Sequence, residues 1–184
     1  DDMDPNINPA SDGLDYGFSE TGKVWDGDYS ITDYNDLTAL NGYTEITGSL
    51  TIKPDYNDYI RIDPEYFSGI KSYDNKKIIH LYPLRHLRKI GKDLIAVDNP
   101  FLETFIGLNN LESLGGSLII IYNSEIKNLE GFESLSTIGD AMIVAENRRM
   151  TTLKGIDNLV EIKKDLEIYY NISLENISDM VSLS

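Results

Sequence analysis

The chain contains no cysteine. That absence excludes thiol chemistry, disulfide staples and cysteine-bound metal, and it argues against an animal receptor ectodomain, which normally leans on disulfides. Histidine is nearly missing too. His80 and His86 lie six residues apart on chain without helical periodicity, a spacing that gives no metal-ligand geometry, so both are read as surface residues. No stretch approaches 18 uninterrupted apolar residues, so no segment reads as a membrane span. A Gly-rich phosphate loop is also lacking, because Gly115-Gly116 falls inside a repeat and not between a strand and a helix. No catalytic constellation emerges; the expectation is a non-enzyme with no cofactor and no metal.

Positive charge is scarce. The 184 residues carry 16 Lys and Arg against 31 Asp and Glu, a net charge of −15. Residues 1–65 hold 15 of the acids against Lys23, Lys53 and Arg61 alone. Such a chain repels phosphate backbones, which excludes nucleic acid as the expected partner. The one basic island is Lys76, Lys77, His80, Arg85, His86, Arg88, Lys89 and Lys92. It reads as a solvated face lying beside the acidic N-terminal part.

What the chain does have is a repeat of 24 residues. Asparagine marks it at Asn75, Asn99, Asn123, Asn147 and Asn171, with apolar columns Ile90/Leu114/Ile138/Ile162, Leu94/Leu118/Met142/Leu166 and Leu102/Ile126/Met150/Leu174. Self-similarity at this period means one supersecondary unit stacked on copies of itself, since a single copy cannot bury its own apolar face. Within a repeat, Leu118 and Ile120 alternate as in a strand with one buried face. After Asn123 the apolar residues come every third position, at Ile126, Leu129, Phe132 and Leu135. That spacing suits chain that bends at corners and turns one residue per segment inward. The asparagines are expected to form a buried ladder that pairs backbone groups left over at a corner. Gly107, Gly131 and Gly155 form a second column, read as a turn with positive φ or a close approach to the next layer.

These signals divide the chain into three parts. Residues 1–22, rich in Asp, Gly, Pro and Asn, read as a flexible acidic arm. Residues 23–44 read as an N-terminal cap: a short strand, then a short helix capped by Thr32 or Asp33 and ended by Asn41-Gly42. Residues 45–184 read as the solenoid, with layers beginning at Glu45, Tyr66, Ile90, Leu114, Ile138 and Ile162 and an irregular section over 53–65. The expected fold is therefore all-β with a short capping helix: a parallel β-helix or solenoid of about six layers.

Two known patterns share this look. The leucine-rich repeat, L-x-x-L-x-L-x-x-N-x-L, fits at Leu118-x-Ile120-x-x-Asn123, but the flanking apolar residues are shifted by one. The stretches Ile46-Thr47-Gly48-Ser49-Leu50-Thr51-Ile52 and Leu114-Gly115-Gly116-Ser117-Leu118-Ile119-Ile120-Ile121-Tyr122-Asn123 resemble the receptor L-domain instead. Residues 41–48, Asn-Gly-Tyr-Thr-Glu-Ile-Thr-Gly, look like the opening of L-domain-like repeat proteins on the surface of Bacteroidetes-type bacteria. The resemblance covers roughly residues 25–184. It implies a right-handed β-helix, export to the cell surface or outer membrane, and a lipoprotein anchor lying upstream of this sequence.

Two surface columns are candidates for function. Strand positions that face outward if Leu118 and Ile120 face inward run Ile95, Ile119, Ile143 at one level and Val97, Ile121, Ala145, Tyr169 at the next. In the early layers Thr51, Lys53 and Lys71 fill these levels. An apolar patch over three layers is either covered by the acidic arm or another element of the chain, or it is a partner-binding face for a second copy or a foreign protein. The second column precedes the asparagines: Asp74, Asp98, Tyr122, Glu146 and Tyr170. Carboxylates and tyrosines in a row suit a glycan, and Asp74 with Asp98 at one strand spacing would approach the ~5 Å separation of retaining glycosidase carboxylates. The sequons at Asn171 and Asn176 are read as chance. The last layer, ending Met180-Val181-Ser182-Leu183-Ser184, shows no polar cap, so the C-terminal end is expected to continue or to pair with another molecule, a homodimer included. The overall expectation is a non-enzymatic cell-surface module that presents a sheet face to a protein or glycan. The alternatives are a carbohydrate-active enzyme using Asp74, Asp98 or Glu146, and a structural spacer.

Overall fold

A computed structural model describes residues 22–54 and 77–183. The acidic arm, most of the section 53–65 and the layer expected from Tyr66 through Asn75, with Lys71 and Asp74, lie outside the described residues.

The described chain is a β-solenoid of about five turns, built from two parallel sheets. The first sheet stacks β1 (Lys23–Trp25), β3 (Tyr43–Ile46), β5 (Lys89–Ile90), β7 (Ser113–Leu114), β9 (Thr137–Ile138) and β11 (Glu161–Ile162). The second stacks β2 (Tyr29–Ile31), β4 (Leu50–Ile52), β6 (Leu94–Val97), β8 (Leu118–Ile121), β10 (Met142–Ala145) and β12 (Leu166–Tyr169). Adjacent strands in the regular part differ by 24 residues, as in Met142 opposite Leu118 and Leu166. The period read from the asparagines is thus the length of one full turn.

The layer expected from Tyr66 lies outside the described residues; in the described sheets Ile46 pairs directly with Ile90, and Leu50 directly with Leu94. The sixth strand of each sheet comes from the cap, through β1 and β2. Register permits the direct pairing: β3 and β4 present an inward Ile46, Leu50 and Ile52 in step with Ile90, Leu94 and Ala96.

Inward residues of both sheets are fully buried, from Ile31, Ile46, Leu50 and Ile52 through Leu118, Ile120 and Met142. The third wall is made of turns. Leu108 N–H bonds to Phe105 O, Leu111 N–H to Leu108 O, Phe132 N–H to Leu129 O and Leu135 N–H to Phe132 O. Each bond spans three residues, which puts the next side chain at the same azimuth and explains the every-third-residue pattern. Phe105 and Phe132 stack in this wall with centroids 4.8 Å apart.

The helix α1 (Tyr34–Ala39) follows β2 as expected. Asp33 caps it, its carboxylate accepting from the amides of Asn35 and Asp36, and Gly42 beyond its end has φ +83°. Leu37 and Leu40 of this segment are buried in the core at the cap end. A short 3-10 turn at Tyr82–Leu84, which the sequence pattern did not single out, lies against α1 and buries Pro83 and Leu84.

Ion pairs cross between layers on the flanks: Arg88–Glu112 at 2.7 Å, Lys154–Glu130 at 2.5 Å, Lys164–Asp140 at 2.7 Å, and Arg149 with Glu125. The basic island is tied to the first solenoid layer through Lys89–Glu45 at 2.9 Å and to the acidic cap through Lys92–Asp28 at 3.6 Å. No helix among the described residues is long and apolar enough to cross a membrane.

Candidate functional site

The corner after the second sheet organises everything near it. Asn99, Asn123, Asn147 and Asn171 are buried there in one column. Each Nδ2 donates to a carbonyl one layer back: Ile52 O at 3.0 Å, Ala96 O at 2.9 Å, Ile120 O at 2.9 Å and Val144 O at 2.8 Å. Each side-chain oxygen from Asn123 onward accepts from the preceding asparagine, both from its amide nitrogen and from its Nδ2. Asn99 begins the described ladder. Its own Oδ1 is buried and no described donor reaches it. Asn75 lies outside the described residues. From Asn123 onward the ladder is scaffold: its side-chain polar atoms are used on one another and on backbone carbonyls. Asn171 also cannot be reached as a sequon, since its amide is spent on Val144.

The residue just before each asparagine sits on the bend itself. Asp98, Tyr122, Glu146 and Tyr170 have φ of 56°, 59°, 56° and 55°, the left-handed region. Nothing in the residue types marks these bends, since glycine and asparagine are the usual occupants of that region. Tyr122 is 55% exposed and Tyr170 69% exposed, and Asp98 is exposed beside them. The ring of Tyr169 meets that of Tyr170 edge-on, centroids 5.6 Å apart. Among the described residues none donates a hydrogen bond to Asp98 or Glu146 or forms an ion pair with them. Asp98 and Glu146 lie two layers apart, about 9.6 Å along the axis, with Tyr122 between them. Their backbone positions therefore do not bring two carboxylates to the ~5 Å of a retaining pair, and Asp74 lies outside the described residues.

The outward face of the second sheet carries the other candidate. The strands alternate in burial: Leu94, Ala96, Leu118, Ile120, Met142 and Val144 are buried, while Ile95, Val97, Ile119, Ile121 and Ile143 are half-buried. Their register is exact to the residue, Ile95 on Ile119 on Ile143 and Val97 on Ile121 on Ala145 on Tyr169. Stacked at one strand spacing, these side chains cover one another's flanks and leave their tips outward. Ala145, the shortest, is wholly covered between Ile121 and Tyr169. The patch stops at Ser30 and Thr51 toward the cap and at Glu167 toward the last layer. Along one side run Asp93, Ser117 and Ala141, and along the other Asp98, Tyr122 and Glu146, with Lys53 at one corner.

The histidines are less exposed than the sequence reading supposed. His80 and His86 are both half-buried, and His80 Nδ1 accepts from the Tyr82 amide at 3.4 Å with its ring 4.2 Å from that of Tyr82. Burial lowers the pKa of each from the ordinary histidine value, with Arg85 adding to the effect at His86. The turn that buries Pro83 and Leu84 draws them in. No group of acids and histidines among the described residues could hold a metal ion.

Comparison with models of known protein families and with curated proteins finds no match to this chain.

Proposed function

We propose that this chain is a non-enzymatic binding module that works outside the cell, at a cell surface, and docks a protein on the outer face of its second sheet. The observation that carries the reading is the aligned apolar ladder of Ile95, Ile119, Ile143, Val97 and Ile121, with the acids Asp93, Asp98 and Glu146 at its sides. An apolar centre with a polar border is the anatomy of an interaction surface. The acids at the border, on a chain of net charge −15, fit a partner whose own patch is apolar in the middle and basic at its rim. The resemblance to receptor L-domains supports the surface location and the lipoprotein anchor.

Purified extracellular proteins are passed over the immobilised chain and over its Ile119→Asp/Ile121→Asp variant. Binding by the native chain that weakens with added salt and vanishes in the variant, with the melting temperature retained, supports the proposal. Equal binding by both chains overturns it, and so does sedimentation showing that the native face is already occupied by a second copy.

A further inference from the structure

We propose that Asp98, Tyr122, Glu146 and Tyr170 form a separate strip that binds a neutral, unbranched β-1,4-linked glycan lying along the solenoid axis. The argument begins with backbone cost. A non-glycine residue in the left-handed region costs about 1 kcal/mol or more, and these four bends hold two carboxylates and two bulky tyrosines there. Elsewhere on the same turns, where the fold also needs positive φ, the chain uses glycine at Gly107, Gly131 and Gly155. The bend requires the conformation but not these side chains.

Nor do the side chains repay the cost within the fold. No described residue is hydrogen-bonded or ion-paired to the side chains of Asp98, Tyr122, Glu146 or Tyr170, whereas acids on the flanks, such as Glu112 and Glu130, are paired across layers. Both tyrosine rings are largely exposed. A left-handed bend repeated in register points each Cβ the same way, so the four side chains form a row with one step per layer.

That row has the chemistry of sugar recognition. Exposed tyrosine rings stack on the C–H faces of pyranoses, and ionised carboxylates accept strong hydrogen bonds from hydroxyls. Tyr122 and Tyr170 are two layers apart, about 9.6 Å. In an extended β-1,4 chain each sugar advances by roughly one such layer and flips, so the same ring face returns at every second unit. Tyr122 and Tyr170 would then meet alternate sugars while Glu146 meets the one between. Tyr169 holds the Tyr170 ring from its edge. The acids select against an anionic polysaccharide. The strip does not depend on the protein-docking reading of the neighbouring sheet face.

Calorimetric titration with cellobiose through cellohexaose tests this, with maltohexaose as the α-linked control. Affinity is expected to rise by about tenfold or more between cellobiose and cellotriose, the shortest length that engages both tyrosines. Tyr122→Gly and Tyr170→Gly should each weaken cellohexaose binding by about tenfold or more while leaving the fold as stable as before, because glycine relieves the bend. Ile119→Asp/Ile121→Asp should leave cellohexaose binding unchanged, which separates this strip from the sheet face. Absence of cellohexaose binding overturns the proposal, as does equal binding of maltohexaose or retained affinity in both glycine variants.

Discussion

Asn147 joins three layers through one amide. Its Nδ2 donates to Ile120 O and to Asn171 Oδ1, and its Oδ1 accepts from the amide nitrogen and Nδ2 of Asn123. All of this happens out of reach of water, where an unpaired polar group costs about 1–3 kcal/mol. Asn147→Ala strands the Ile120 carbonyl and the Asn123 amide together, so a loss of about 3 kcal/mol or more is expected in denaturant unfolding. Asn171→Ala should cost less, since Asn171 has a described partner on one side only. Equal losses at the two positions would show that the ladder does not act as a chain of shared bonds. The residue in front of each asparagine has the opposite character: it sits in the left-handed region, its side chain has no hydrogen bond or ion pair among the described residues, and it is exposed at Asp98, Tyr122 and Tyr170 and half-buried at Glu146. Neighbours in sequence thus divide scaffold from surface.

Within a turn, each element is shaped by what its neighbour one layer away allows. Gly131 has φ +118°, and a β-carbon there would run into the Phe105 carbonyl group. Gly131→Ala therefore meets a forbidden backbone angle and a collision with main chain at once. A loss of more than about 2 kcal/mol is expected by thermal melting, with no relief from rotating a side chain. Gly115 and Gly139 are fixed by packing alone, since a β-carbon at each would strike the carbonyl of Gly91 or Gly115 beneath it. The cap helix is a more local device. Asp33→Ala removes the carboxylate that serves the Asn35 and Asp36 amides, and about 1 kcal/mol should go with it. That loss should appear first as faster amide exchange over residues 34–40 and leave the regular layers protected.

On the scale of the whole molecule, charge is arranged along the axis. The acidic cap faces the basic island, and the regular layers pair their own charges from one turn to the next. Acid should therefore weaken the fold in two stages. His80 and His86 have lowered pKa values in the folded chain, so the unfolded chain binds more protons below the ordinary histidine value of about 6.5. Stability is complete above that pH and falls as pH drops from it toward the folded values. Glu130 is lowered by its hydrogen bond from Lys154, and Asp36, despite burial pushing it up, is lowered by the Thr32 hydroxyl and amide. Their contribution is present above the ordinary carboxylate range near 4 and is lost as pH falls through the folded values. Melting temperature measured from pH 8 to pH 3 should show both steps, and His80→Gln with His86→Gln should flatten the first while sparing the second.

Much of this was legible in the chain because a solenoid writes its geometry as a period. Asn99 to Asn123 to Asn147 to Asn171 gave the turn length, and Leu118 with Ile120 gave the buried face, since both follow from one layer repeating on the next. Asp33 and Gly42 marked the cap helix through local chemistry alone. Three things could not be read in that way. The direct pairing of Ile46 with Ile90 depends on which layers meet in space, and the separation of these two residues is not the 24-residue period. The half-burial of His80 and His86 depends on a turn packed by distant residues. The left-handed bends at Tyr122 and Glu146 arise because the stacked asparagines fix the corner from both sides, a constraint that lies between layers and leaves no mark on any one of them. Sequence by itself determined the repeating unit and its inward face; tertiary structure decided which layers touch and which side chains are held out to solvent, because stacking sets both.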